Sequence, residues 1–194
     1  MHHIYHTEAF VLGSRQFGED SKVITLYTSS LGLVSARAQG IRKLSSKLRY
    51  TLQNYSYAKV DLVRGKEIWR ITTAVPLDSN SDILCDASRE QIIAKISALI
   101  TRLVVGEEHN HEIFFLINSL CNTLRTTILL DEKYCAKIEL FYVARILMTL
   151  GYLSRGAYEF ASGDTVVIPE ILDDISYRQK LIREINEALT LSQL

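Results

Sequence analysis

The stretch Lys22-Val-Ile-Thr-Leu-Tyr-Thr-Ser-Ser-Leu-Gly-Leu-Val-Ser-Ala-Arg-Ala-Gln39 is strand-like on both sides of a Ser29-Ser30-Leu31-Gly32 turn. Val, Ile, Thr and Tyr fill its first half, and apolar and polar residues alternate through its second. It therefore predicts two strands, Lys22–Thr28 and Leu33–Gln39, running antiparallel. The pattern extends outward. Thr7–Ser14 precedes it across the turn Phe17-Gly18-Glu19-Asp20, and Thr51–Val63 and Glu67–Val75 follow, joined by Arg64-Gly65-Lys66 as a tight hairpin. Five short strands leave open edges unless the sheet closes, so residues 1–80 are expected to form a small OB-like barrel.

From Ser81 the period lengthens to that of a helix. Ile92, Ile96, Leu99, Ile100 and Leu103 form one stripe, with Ser88 and Gln91 at capping-box spacing. Ile113, Ile117, Leu120 and Leu124 form a second, after a polar break whose Asn110 can cap it. A third helix opens at an Asp131 cap, ends at Gly151, and is apolar nearly all round from Ile138 to Leu150, which predicts a central, buried element. Leu181, Ile182, Ile185 and Leu189 mark a fourth. Between the last two, Ser162-Gly163-Asp164 predicts a turn within a small two-strand insertion near 158–168. The fold class is α+β: a five-stranded OB-like barrel over 1–80, then a helical domain over 81–194.

The 194 residues are 47% hydrophobic and 23% charged, a globular composition. A net charge of zero conceals an asymmetry. Residues 1–80 carry 11 Lys and Arg against 6 Asp and Glu, hence +5, and residues 81–194 carry 11 against 16, hence −5. A basic module followed by an acidic one is a footprint of polyanion binding. The uncharged run Ile113 to Leu124 is shorter than the ~20 residues that span a bilayer, and the N-terminus lacks a basic n-region and an apolar h-region. A cytoplasmic protein without membrane attachment is expected. Cys85, Cys121 and Cys135 form no C-x-x-C pair and are expected as small core residues in a reducing compartment.

Catalytic and metal motifs fail on their chemistry. Gly13 and Gly18 have P-loop spacing, but Glu19 and Asp20 stand where a phosphate requires Lys and Ser or Thr. His2, His3, His6, His109 and His111 lack ligand spacing, and neither a nucleophile elbow nor H-E-x-x-H occurs. No enzyme activity, cofactor or metal is expected.

The informative segment is Gln39-Gly-Ile-Arg-Lys-Leu-Ser-Ser-Lys-Leu-Arg-Tyr-Thr-Leu-Gln53, which puts Arg42, Lys43, Lys47 and Arg49 within eight residues. Tyr50, Tyr55, Tyr57 and Trp69 lie nearby. Cations beside aromatics suit a groove for single-stranded nucleic acid, and they equally suit a solvated loop whose aromatic neighbours face the core.

An ordered series of motifs resembles the RecO family of bacterial recombination mediators. It runs through Thr7-Glu8-Ala9-Phe10-Val11-Leu12, Gly18-Glu19-Asp20-Ser21, Leu26-Tyr27-Thr28, Gly32-Leu33-Val34, Gln39-Gly40-Ile41-Arg42-Lys43 and Leu52-Gln53. It continues in Glu112-Ile113-Phe114-Phe115, Arg145-Ile146-Leu147 and Leu150-Gly151-Tyr152. The resemblance implies a non-enzymatic, nucleoid-associated protein of DNA repair that binds and anneals single-stranded DNA. It also implies help in loading RecA onto DNA coated by single-strand-binding protein, with RecR as partner. Many members carry a cysteine zinc knuckle after the Gly-Tyr, whereas this chain has Leu153-Ser154-Arg155-Gly156-Ala157, so zinc is not carried over. Arg42, Lys43, Lys47 and Arg49 are the principal expected DNA ligands, with Arg15, Arg37, Arg64, Lys66 and Arg70 extending the path. Lys137 and Arg145, just over two turns apart on the apolar helix, are expected to rim a pocket for the acidic C-terminal tail of single-strand-binding protein. Alternatively Arg145 pairs with an acidic neighbour. The rival functions are a protein-interaction adaptor and an RNA-binding OB module, and the sequence decides neither the oligomeric state nor whether RecF takes part.

Overall fold

The computed structural model describes residues 3–128, 131–155, 158 and 168–191, in two compact units. The first comprises Met1–Cys85 and Val104–Phe114, the second Asp86–Leu103 and Phe115–Leu194.

The first unit is a closed barrel of β1 (Ile4–Phe17), β2 (Ser21–Thr28), β3 (Gly32–Ala38), β4 (Tyr57–Arg64) and β5 (Trp69–Asp78), in the order β1-β2-β3-β5-β4. All pairs are antiparallel except β3 with β5. This is the expected OB-like architecture. β1 closes it by serving two neighbours: Ile4–Phe10 pairs with β4, Ala9–Phe17 pairs with β2, and a register shift at Val11/Gly13 marks the bend. The interior of a five-stranded barrel is narrow, and Ala9, Ala36, Ala38 and Ala58 leave room there for Ile24, Leu26, Val60 and Leu62. Gly32 is held at φ +68°, and a Cβ on it would stand 2.2 Å from the carbonyl oxygen of Glu108. Only glycine permits that approach.

One expected strand is corrected. Residues 51–56 are not part of β4, because Leu48–Thr51 forms a short helix, α1, and Leu52 caps it. The Ser56 hydroxyl then donates to the carbonyls of Thr51 and Gln53, both at 2.8 Å, and turns the chain into β4. After β5 come α2 (Ser81–Leu84) and α3 (Ala87–Leu103), the latter capped by Asp86, whose carboxylate accepts from the Arg89 amide at 3.0 Å. The cap thus falls two residues before the Ser88 of the expected box. Asn110 does cap α4 (His111–Thr126), accepting from the amides of Glu112 and Ile113.

In the second unit α5 (Glu132–Thr149) is capped by Asp131, and Ile138, Phe141, Ala144, Ile146 and Leu147 are all within 1% of complete burial. It ends as expected: Gly151 adopts φ +81° and the Tyr152 amide bonds to the Leu147 carbonyl at 2.8 Å, a Schellman closure. The Tyr142 hydroxyl, buried within the unit, meets Ser119 and Thr123 at 3.0 and 2.8 Å. A 3-10 turn at Glu170–Asp173 leads into α6 (Ile175–Leu191). The expected insertion near 158–168 lies outside the described residues except at its two ends. Of the cysteines only Cys121 is buried, Cys135 being half-buried and Cys85 exposed, since Cys85 sits at the solvent-facing C-cap of α2.

Candidate nucleic-acid interface

The β3–β4 connection is pinned at both ends by apolar side chains. Ile41 and Leu52, each 3% exposed, belong to the barrel core, and the chain between them carries its cations outward. The backbone loops back on itself: the amides of Lys43, Ser46 and Arg49 bond to the carbonyls of Gly40, Lys43 and Ser46. A second tether runs to the β1–β2 turn. The Arg42 amide bonds to the Asp20 carbonyl at 3.1 Å, and its guanidinium donates to the Glu19 carbonyl at 2.7 Å. These backbone anchors fix the base of the cationic loop without consuming a carboxylate.

Arg42, Arg49 and Lys22 line one open pocket of about 380 Å³, completed by Gln16 and Ile41. Its lining carries three cations and no carboxylate, a local charge that suits an anion. An adjoining pocket of about 340 Å³ differs in sign. There Arg37 and Lys43 are balanced by Glu19 and Asp20, and the Lys43 ammonium is 3.4 Å from the Asp20 carboxylate.

Lys22 was not among the expected ligands, though a signal for it existed. It lies in register with Gln16 and Ala38, on the same face of β2 as the interior Ile24 and Leu26. A cation on a barrel's inward face has to stand at an open end, where its charge reaches water.

The remaining expected cations separate into groups. Register places Arg15 opposite Val23, Val23 opposite Arg37, and Arg37 opposite Arg70, so the three arginines share the outer face along one row. Arg15 and Arg70 are exposed, and Arg37 lies over the Phe17 ring at 4.8 Å and donates to Ser21 at 3.4 Å. Lys47 is exposed at the start of α1 and Lys66 in the β4–β5 turn. Arg64 is engaged elsewhere, 3.4 Å from Glu107 and over the Trp69 ring at 5.3 Å.

The aromatic residues are less available than their positions in sequence suggest. Trp69 is 4% exposed and donates its indole N–H to Glu107 at 2.7 Å. Tyr57 stacks on Phe10 with ring centroids 4.5 Å apart and donates its hydroxyl to Glu8; burial and that carboxylate both push the phenol pKa up, keeping it a donor. Tyr55 is half-buried at φ +67°, its amide bonded to the Val11 carbonyl at 2.7 Å. Tyr50, by contrast, is 73% exposed, and Leu44 is 84% exposed.

In the helical unit Lys137 and Arg145 do not form an open basic rim. Lys137 donates to Asp173, whose carboxyl is held below its ordinary range first by that bond. Arg145 is 3% exposed, with its guanidinium 5.9 Å from the Phe141 ring centroid. Among the described residues no group of three or more His, Cys, Asp or Glu could hold a metal ion, and no helix is long and apolar enough to cross a membrane.

Residues 1–80 match the family model described as Recombination protein O N terminal. The chain is 26% identical over 152 residues to DNA repair protein RecO of Desulfitobacterium hafniense, covering 78% of this chain and 54% of that protein. It is 34% identical over 100 residues to the RecO of Heliobacterium modesticaldum (52% and 37% covered) and 27% identical over 150 residues to that of Dehalococcoides mccartyi (77% and 57%). The chain spans about half the length of these curated relatives.

Proposed function

We propose that the chain is a RecO-family protein, its first 80 residues matching that family's N-terminal domain, and that its barrel binds single-stranded DNA through Lys22, Arg42 and Arg49. The observation that carries this reading is the pocket those three cations line with no opposing carboxylate. Phosphates entering it displace condensed counterions, and because phosphate contacts carry no base information the grip is indifferent to sequence. Lys43 and Lys47 lie between Arg42 and Arg49 in sequence, and the outward row of Arg15, Arg37 and Arg70 gives the strand a continuation over the barrel wall.

The role proposed for the protein is that of a mediator in DNA repair and recombination. It holds single strands, pairs complementary ones, and assists RecA on DNA coated by single-strand-binding protein, with RecR and the coating protein as partners. A grip made of many modest electrostatic contacts suits that role, since a strand must be released to its complement as readily as it is captured. The reading assigns no covalent step to any residue. Lys137 and Arg145 are not favoured as the tail receptor, one being ion-paired and the other buried.

Titration of a labelled single strand over a range of salt tests the site. Replacing Lys22 and Arg49 together by Ala should lower the slope of log affinity against log salt by about 1.4, at ~0.7 for each lost phosphate contact. An unchanged slope in a folded double variant would place the site elsewhere. Tighter binding of RNA in the same titration would replace DNA as ligand, and binding of neither would favour the protein-interaction role.

A further inference from the structure

We infer that Tyr50 is the base-stacking residue of this pocket and the side chain that makes it prefer a single strand to a duplex, an inference that rests on the single-stranded DNA reading above. Cations alone cannot supply that preference. Duplex DNA carries the denser phosphate charge and releases more counterions per contact, about 0.9 against 0.7, so a purely electrostatic pocket favours the duplex. What a single strand offers, and a stacked duplex withholds, is the flat face of a base.

The barrel unit has few rings able to meet such a face. Trp69 is covered and bonded to Glu107, Tyr57 is stacked on Phe10 and bonded to Glu8, Tyr5 sits edge-on to Trp69 at 5.1 Å, and Phe17, 41% exposed, has the Arg37 guanidinium over its ring at 4.8 Å. Tyr50 is 73% exposed and directly follows Arg49, which lines the pocket. Tyr50 is not among the residues that line the pocket, and its Cα is ~3.8 Å from that of Arg49, so the ring is rooted one residue from a side chain that does line it. A phosphate held by Arg49, Arg42 and Lys22 therefore leaves its neighbouring base within reach of the ring. The platform is also pre-set. Leu52, 3% exposed, anchors the C-terminal end of α1 in the core, and the Gln53 side chain donates to the Arg49 carbonyl at 2.6 Å.

The test uses the whole chain and three probes: an oligothymidine strand, an abasic strand of equal length, and a duplex. The wild-type protein should bind the thymidine strand about 5- to 150-fold more tightly than the abasic one, the range given by loss of one stacked base. Tyr50→Ala should bring thymidine binding down to the abasic level, abolish the wild-type preference for the thymidine strand over the duplex, and leave duplex and abasic affinity and their salt slopes unchanged, while Tyr50→Phe should behave as wild type. A thymidine preference that survives Tyr50→Ala overturns the inference while the DNA reading stands. Equal weakening of thymidine and abasic strands in Tyr50→Ala also overturns it, since the residue would then be supporting the loop. A wild-type protein that binds none of the three probes overturns the DNA reading itself, and this inference with it.

Discussion

Tyr27 is fully buried, and its phenol donates to the carbonyl of Asn110 at 3.3 Å. Burial disfavours the ionised form and pushes its pKa up to about 12, against about 10 for a tyrosine in water. The folded pKa is the higher one, so its contribution is fully present below pH 10, where both states hold the proton. Above that the unfolded chain releases a proton that the fold retains, and stability falls by about 2–3 kcal/mol as pH rises through 12. Denaturant unfolding between pH 9 and 12 should show that decline reduced in Tyr27→Phe, and identical declines would reject the assignment. Single residues were legible in sequence only as far as their partners were local. The run Arg42 to Arg49 announces itself by density, whereas Trp69 looks like a base platform until Glu107, 38 residues away, takes its N–H. Arg145 misleads for a related reason: a helix that is apolar all round has no outward face on which to place a charge.

Strands were the most legible elements, because β-branched and aromatic residues between Gly-bearing turns leave little choice of conformation. α1 was missed. Four residues are too few to show a helical period, and Thr51, Tyr55 and Tyr57 read as a continuation of β4. Also illegible was the return of Val104–Phe114 to the barrel unit, since nothing in that polar stretch names its target. Its grip centres on Glu107, whose two oxygens receive the Trp69 indole and face Arg64. Glu107→Gln keeps the size of the side chain and removes its charge, weakening a bond to a buried donor, and should cost about 1–2 kcal/mol. The sequence contains a single tryptophan, so its emission reports on this contact directly. Loosening should shift the emission toward the red and lower the denaturation midpoint together, and a variant with unaltered emission and midpoint would show that Glu107 holds nothing.

At the scale of the whole chain, the change from strand to helix near residue 80 was plain, and so was the +5 against −5 division of charge. What composition does not disclose is that the barrel unit is discontinuous, taking in Val104–Phe114 from beyond α3. Several contacts depend on that segment: Glu107 with Trp69 and Arg64, Asn110 with Tyr27, Glu108 close against Gly32, and Phe114 with its ring centroid 5.2 Å from that of Phe10 and 6.3 Å from that of Tyr57. Residues 1–85 therefore contain all five strands and yet lack part of their own cover. Hydrogen bonds at ~1 kcal/mol each and the aromatic contacts at about 0.5–1.5 kcal/mol together put the deficit on the order of 3 kcal/mol. For a domain of this size each kcal/mol moves the midpoint by about 4–8 °C, so a fragment ending at Cys85 should melt more than ten degrees below the barrel in the full chain. A peptide of residues 104–114 added in excess should recover part of the loss, because it binds the folded fragment alone. A fragment that melts with the full chain and ignores the peptide would show that the strands suffice, and that Val104–Phe114 merely rests on a barrel already complete.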